Sequence, residues 1–186
     1  WDTSQVKNMS NMFVGASAFN GGSAYGVQST IFAITSNVTN MNFMFSGASA
    51  FNGNVSLWNT SNVINMQGMF AFASCFNRDI NTNVNNGTWN TSKVEDMSSM
   101  FYNANVFNKD ISSWNTSNVI NMSSMFYSAL SFNTNVSSWN TNNVKNMGGM
   151  FFGTSAFNGG MSSGLQSTIF AITTNNTVLT NMNNMF

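Results

Sequence analysis

Pairs of Met residues three positions apart, each followed directly by Phe, recur along this 186-residue chain and constrain its folding more than any other feature. They stand at Met9/Met12/Phe13, Met41/Met44/Phe45, Met66/Met69/Phe70, Met97/Met100/Phe101, Met122/Met125/Phe126, Met147/Met150/Phe151 and Met182/Met185/Phe186. Fourteen of the 15 Met residues fall in these pairs, so Met is placed by a repeat. Three residues before each first Met lies Val6, Val38, Val63, Val94, Val119, Val144 or Leu179. Phe-Asn follows six residues after the Met-Phe, from Phe19-Asn20 to Phe157-Asn158, with Ala or Thr154 between. Trp58, Trp89, Trp114 and Trp139 each open a Trp-Asn-Thr element. Successive first Met residues are 32, 25, 31, 25, 25 and 35 apart, so the basic unit is 25 residues. Extra residues fall between Phe-Asn and the next Val or Leu.

A unit this short cannot bury its apolar face alone, so neighbouring units must cover it. The organisation expected is a single solenoid array over residues 1–186, of about seven 25-residue coils. Insertions lie near residues 21–37, 78–88 and 159–178. The chain opens and stops in mid-motif and is read as an internal slice of a longer protein. Within a unit the period changes. Val94, Met97, Met100, Phe101, Ala104 and Phe107 follow the spacing of a short helical face or 3₁₀ turns. Residues 110–114 alternate, as a short strand does. The fold class expected is therefore a repeat solenoid of leucine-rich-repeat-like α/β coils. Short parallel strands form one face and short helical or 3₁₀ segments the other. Met97, Met100, Phe101, Ala104, Phe107, Met122, Met125 and Phe126 are its structural core.

The pattern Val-x-x-Met-x-x-Met-Phe-x-x-Ala-x-x-Phe-Asn-x-Asp-Ile-Ser-x-Trp-Asn-Thr-Ser, met in full over residues 94–117, resembles the 25-residue repeat of BspA-like leucine-rich-repeat surface proteins. The resemblance implies an irregular leucine-rich-repeat rod on a cell surface or in a secreted protein, with adhesion or surface architecture as its task and no catalytic residue to carry over. Ala33 and Ala171 stand where the pattern expects Trp.

Composition narrows the function classes. Charged residues are 5% of the chain, five basic against five acidic, where an average soluble domain has about 25%. A nucleic-acid footprint needs clustered Lys and Arg, which are absent here. His is absent, which removes the usual general base near neutral pH and the commonest metal ligand. No apolar run approaches the roughly 18–20 residues of a membrane span, so no membrane insertion is expected in this segment. Asn, Ser and Thr supply 35, 27 and 17 residues, so the polar surface is amide and hydroxyl.

Few residues are candidates for chemistry. Met-x-x-Met is a soft-ligand spacing for Cu(I), but its place in an apolar face reads as core. Asp79 and Asp110 occupy equivalent positions of adjacent units and have the oxygen ligands of a Ca²⁺ site. Arg78 and Lys109 beside them favour charge-paired surface. With Asn54 and Asn135, these two aspartates are the candidate strand-face contacts. Asn59, Asn90 and Asn115 are the accessible glycosylation candidates, at turns. Two Asn columns, Asn20 to Asn158 and Asn8 to Asn181, read as structural ladders. Trp reads as core-edge packing beside a turn, where one edge could be left exposed, and Cys75 as an inert buried thiol. Thr91 reads as a turn residue that tolerates Asp for less than about 1 kcal/mol. No catalytic, cofactor or metal site is expected. The function expected is an extracellular structural module of a surface fibre, filament or stalk. An adhesin binding a protein or glycan through its strand face is the alternative. The partners expected are further coils, copies stacked end to end, or a host or cell-surface protein or glycan.

Overall fold

The computed structural model describes residues 2–21, 35–82, 89–159 and 176–186. Among them there is no helix, no 3₁₀ segment and no strand; turns and isolated bridges make up the regular structure. The expected leucine-rich-repeat-like α/β solenoid, with strands on one face and helical segments on the other, therefore does not form. The fold is irregular and built from turns. Most of the expected insertions, together with Ala33 and Ala171, lie outside the described residues.

The reason lies in backbone sign. Each unit places residues in the left-handed region four apart, such as Ser99 and Asn103, both at φ 54°. Ser124 and Ser128, Phe43 and Gly47, and Gly68 and Phe72 repeat the pair. A left-handed L-residue reverses the turn, so a right-handed helix cannot propagate through it.

The hydrogen bonds alternate accordingly. In one unit the N–H groups of Met97, Ser99, Phe101 and Asn103 donate to the carbonyls of Asn121, Ser123, Met125 and Tyr127 in the next, at 3.0, 2.9, 2.9 and 2.8 Å. Between them, Met100, Tyr102 and Ala104 donate three residues back, to Met97, Ser99 and Phe101. A 3₁₀ helix needs every N–H to bond backwards. Here every second one bonds sideways, so three-residue apolar spacing survives without a helix.

Parallel bridges link Asn8, Asn40, Asn65, Asp96, Asn121, Asn146 and Asn181 in order. Each stays one residue long because turns flank it. The segment 110–114, expected as a strand, is a turn closed by Trp114 N–H on the Ile111 carbonyl at 3.1 Å.

These rungs bring equivalent side chains together. Phe13, Phe45, Phe70, Phe101, Phe126, Phe151 and Phe186 stack ring on ring with centroids 5.4–5.8 Å apart. A second column, from Phe19 through Phe107 to Phe157, leans on the first; Phe101 and Phe107 are 4.0 Å apart. Met97, Met100, Met122 and Met125, with Ala104, Phe126 and Phe132, are fully buried beside them. Each buried Met or Phe is worth about 1.5–3 kcal/mol in transfer from water.

Several expectations about single residues change. Trp58, Trp89, Trp114 and Trp139 are buried outright, with no exposed edge. The indole N–H groups of Trp114 and Trp139 donate to the Ile80 and Ile111 carbonyls of the preceding unit, at 2.9 and 3.1 Å. Cys75 is exposed, since its slot, shared with Ala18, Val106, Ser131 and Ala156, faces outward. Thr91 is buried, not a tolerant turn position. Its hydroxyl donates to the Asn115 carbonyl at 3.0 Å, as Thr35, Thr60 and Thr116 do to Asn59, Asn90 and Asn140.

Candidate functional site

Asn dominates the surface because its side chain serves two local needs. In the Asn8 to Asn181 column, with Asp96 included, Oδ1 accepts the N–H two residues on: Asn121 from Ser123 at 3.1 Å, Asn146 from Gly148 at 2.9 Å. This side-chain turn holds the chain at the point where it bridges the next unit. In the Phe-Asn column, Oδ1 of Asn52, Asn77, Asn108 and Asn133 accepts the backbone N–H of the equivalent Asn one unit on, at 2.8–3.1 Å.

The expected strand-face residues are also engaged locally. Asn54, Asp110 and Asn135 accept the N–H of Ser56, Ser112 and Ser137. Asp110 also accepts from Asn81 Nδ2 at 3.0 Å. Asp79 lies 3.8 Å from Lys109 Nζ, and Arg78 Nε donates to the Asn52 carbonyl. No group of three acidic, His or Cys side chains gathers around Asp79 and Asp110 or anywhere else among the described residues. Asn59, Asn90 and Asn115 sit at turns, with Oδ1 accepting from Ser61, Ser92 and Ser117; Asn115 is exposed and the other two half-buried. Asp2 is exposed, and hydrogen bonds from Ser4 hold its carboxyl below the ordinary value.

One surface feature was not anticipated. Tyr102, Tyr127 and Phe152 follow the Phe of three successive units and stack into an external ridge, with centroids 4.8 and 4.9 Å apart. Phe72 joins its end, tilted against Tyr102 at 5.2 Å. Beside the ridge runs a trench of about 290 Å³. Its floor is Ser123, Ser124, Gly148 and Gly149, and its far wall is Asn146, Asn181, Asn183 and Asn184. The signal was present in the sequence as an aromatic residue three times at 25-residue spacing, one place after the core Phe.

Two stretches, residues 33–86 and 81–186, match the family model described as Mycoplasma protein of unknown function, DUF285. The chain belongs to the DUF285 family. No curated protein and no solved structure matches it. The chemistry of this DUF285 chain is therefore read from its own residues. Along the trench of this family member no wall or floor residue is charged.

Proposed function

We propose that this chain is a structural module of an extracellular fibre, filament or stalk, with no catalytic role. The observation that supports it most is how the units are joined. Between residues 97–103 and 121–127, four backbone bonds, a Phe stack and a Tyr stack all cross the same junction. The Phe-Asn and Thr columns likewise spend their side chains on the neighbouring unit. Bonds arranged in parallel share an applied load, so one junction yields only when several break together. The resemblance of residues 94–117 to BspA-like surface repeats supports a cell-surface setting.

Two measurements test this reading. Single-molecule pulling should release length in steps of whole units, about 80–90 Å for 25 residues. A featureless low-force extension contradicts a load-bearing role. Antibodies against the chain should label intact cells of the source organism. Labelling only after permeabilisation contradicts the surface setting.

A further inference from the structure

We propose that the trench beside the Tyr127–Phe152 ridge binds a neutral oligosaccharide. This site is separate from the load-bearing reading and does not depend on it.

Three observations carry the inference. The first is the floor. Most units hold Ser or a larger residue at the positions of Gly148 and Gly149. A Cβ at Gly149 would stand 3.3 Å from Ser124 Oγ and 3.5 Å from the Tyr127 ring. Gly149 therefore keeps the trench open against an aromatic wall. Gly148 makes room for the amides, since a Cβ there would stand 2.8 Å from Asn181 Nδ2 and 3.2 Å from Asn146 Oδ1. The second is the donor set. Asn146 and Asn181 use Oδ1 on the backbone, as do their equivalents. Their Nδ2 groups, with those of Asn183 and Asn184, donate to no described residue and face a shared groove. Ser123 and Ser124 add hydroxyls that both donate and accept. The third is charge. Every trench residue is uncharged, so an anionic ligand has no counter-charge there.

An aromatic edge beside a row of amides and hydroxyls matches the two faces of a sugar. The C–H face of a pyranose packs on a ring, while its hydroxyls pair with amides. The ridge and the Asn wall both repeat at the unit spacing, so a linear oligosaccharide is favoured over a single sugar. Nucleic acid, which also stacks on aromatics, needs cationic groups that this groove lacks.

The test uses the full chain and isothermal titration with cellotetraose, chitotetraose, maltotetraose and a linear β-1,3-galactotetraose. A heparin tetrasaccharide and a single-stranded oligonucleotide serve as anionic probes. Gly149→Asn fills the depression, and Asn already occupies this left-handed column at Asn11 and Asn184, so the variant retains its fold. The proposal expects at least one neutral tetrasaccharide to bind. It expects Gly149→Asn to abolish that binding while the variant still melts cooperatively, at a somewhat lower temperature, and Tyr127→Ala to weaken binding about tenfold. No heat from any neutral probe, binding that survives Gly149→Asn, or binding by the anionic probes alone each overturns it.

Discussion

The ring of Phe43 lies directly over the backbone of Gly68 in the next unit. A Cβ on Gly68 would stand 2.3 Å from Cδ1 and Cε1 of that ring. Both residues are left-handed, Phe43 at φ 52° and Gly68 at φ 58°. Gly68→Ala therefore carries two costs. The left-handed backbone costs about 1–2 kcal/mol for a residue with a Cβ. Displacing a packed ring costs about 1–3 kcal/mol more. Gly15→Ala carries only the first, since nothing lies within 4 Å of a Cβ there. Chemical denaturation should rank Gly68→Ala well below Gly15→Ala. Adding Phe43→Asn should restore most of the difference. Equal losses in the two single variants would remove the Phe43–Gly68 contact from the account.

Thr91 tests the buried hydroxyl column. Thr91→Val keeps its shape and leaves the Asn115 carbonyl without its donor, for about 1–3 kcal/mol. Thr91→Asp buries a charge and should cost several kcal/mol, as Met100→Asp does in the apolar core. Thermal melts of both Asp variants should fall far below that of Ile120→Asp, at an exposed site of the same stack. A Thr91→Asp melt matching Ile120→Asp would return Thr91 to the surface.

The Phe-Asn ladder asks only for an acceptor. Asn108 Oδ1 takes the Asn133 N–H at 2.8 Å. Asn108→Ala removes that acceptor and should cost about 1 kcal/mol. Asn108→Asp keeps it and should cost less, as Asp96 already replaces Asn in the other column. Urea midpoints that place the Asp variant below the Ala variant would contradict an acceptor-only role.

The pH response follows from composition. Without His, no side chain with an ordinary pKa titrates between about pH 5 and 8, so the melting temperature should be flat there. Asp2, with its carboxyl depressed by Ser4, stabilises the fold above its unfolded value. That contribution fades as pH falls through the lower folded value. Calorimetry should show the small acid loss that Asp2 contributes disappearing in Asp2→Asn. A steep change near neutrality would contradict the first point, and an acid limb identical in Asp2→Asn the second.

The repeat, the Met and Phe columns and the Asn ladders were legible because each is a side-chain pattern at fixed spacing. The backbone path was not. Val94, Met97, Met100 and Phe101 satisfy a helical template, yet Ser99 and Asn103 are left-handed and break it. Ser and Asn occur at helix termini and turns as well, so their types did not reveal the sign of φ. The Thr column was misread because an Asn-Thr-Ser turn looks exposed, whereas Thr91 points inward. Cys75 was misread because its small neighbours in the column suggested a tight core slot. The trench was missed because its floor is serine and glycine, which no residue-type search flags.

Scalar couplings across hydrogen bonds test the alternating rungs most directly, since they report which carbonyl each amide reaches. Couplings are expected from the Ser99 amide to the Ser123 carbonyl and from Phe101 to Met125, with Met100 coupled back to Met97. Couplings from the Phe101 and Asn103 amides to the Met97 and Ser99 carbonyls, four residues back as in an α-helix, would contradict this alternation.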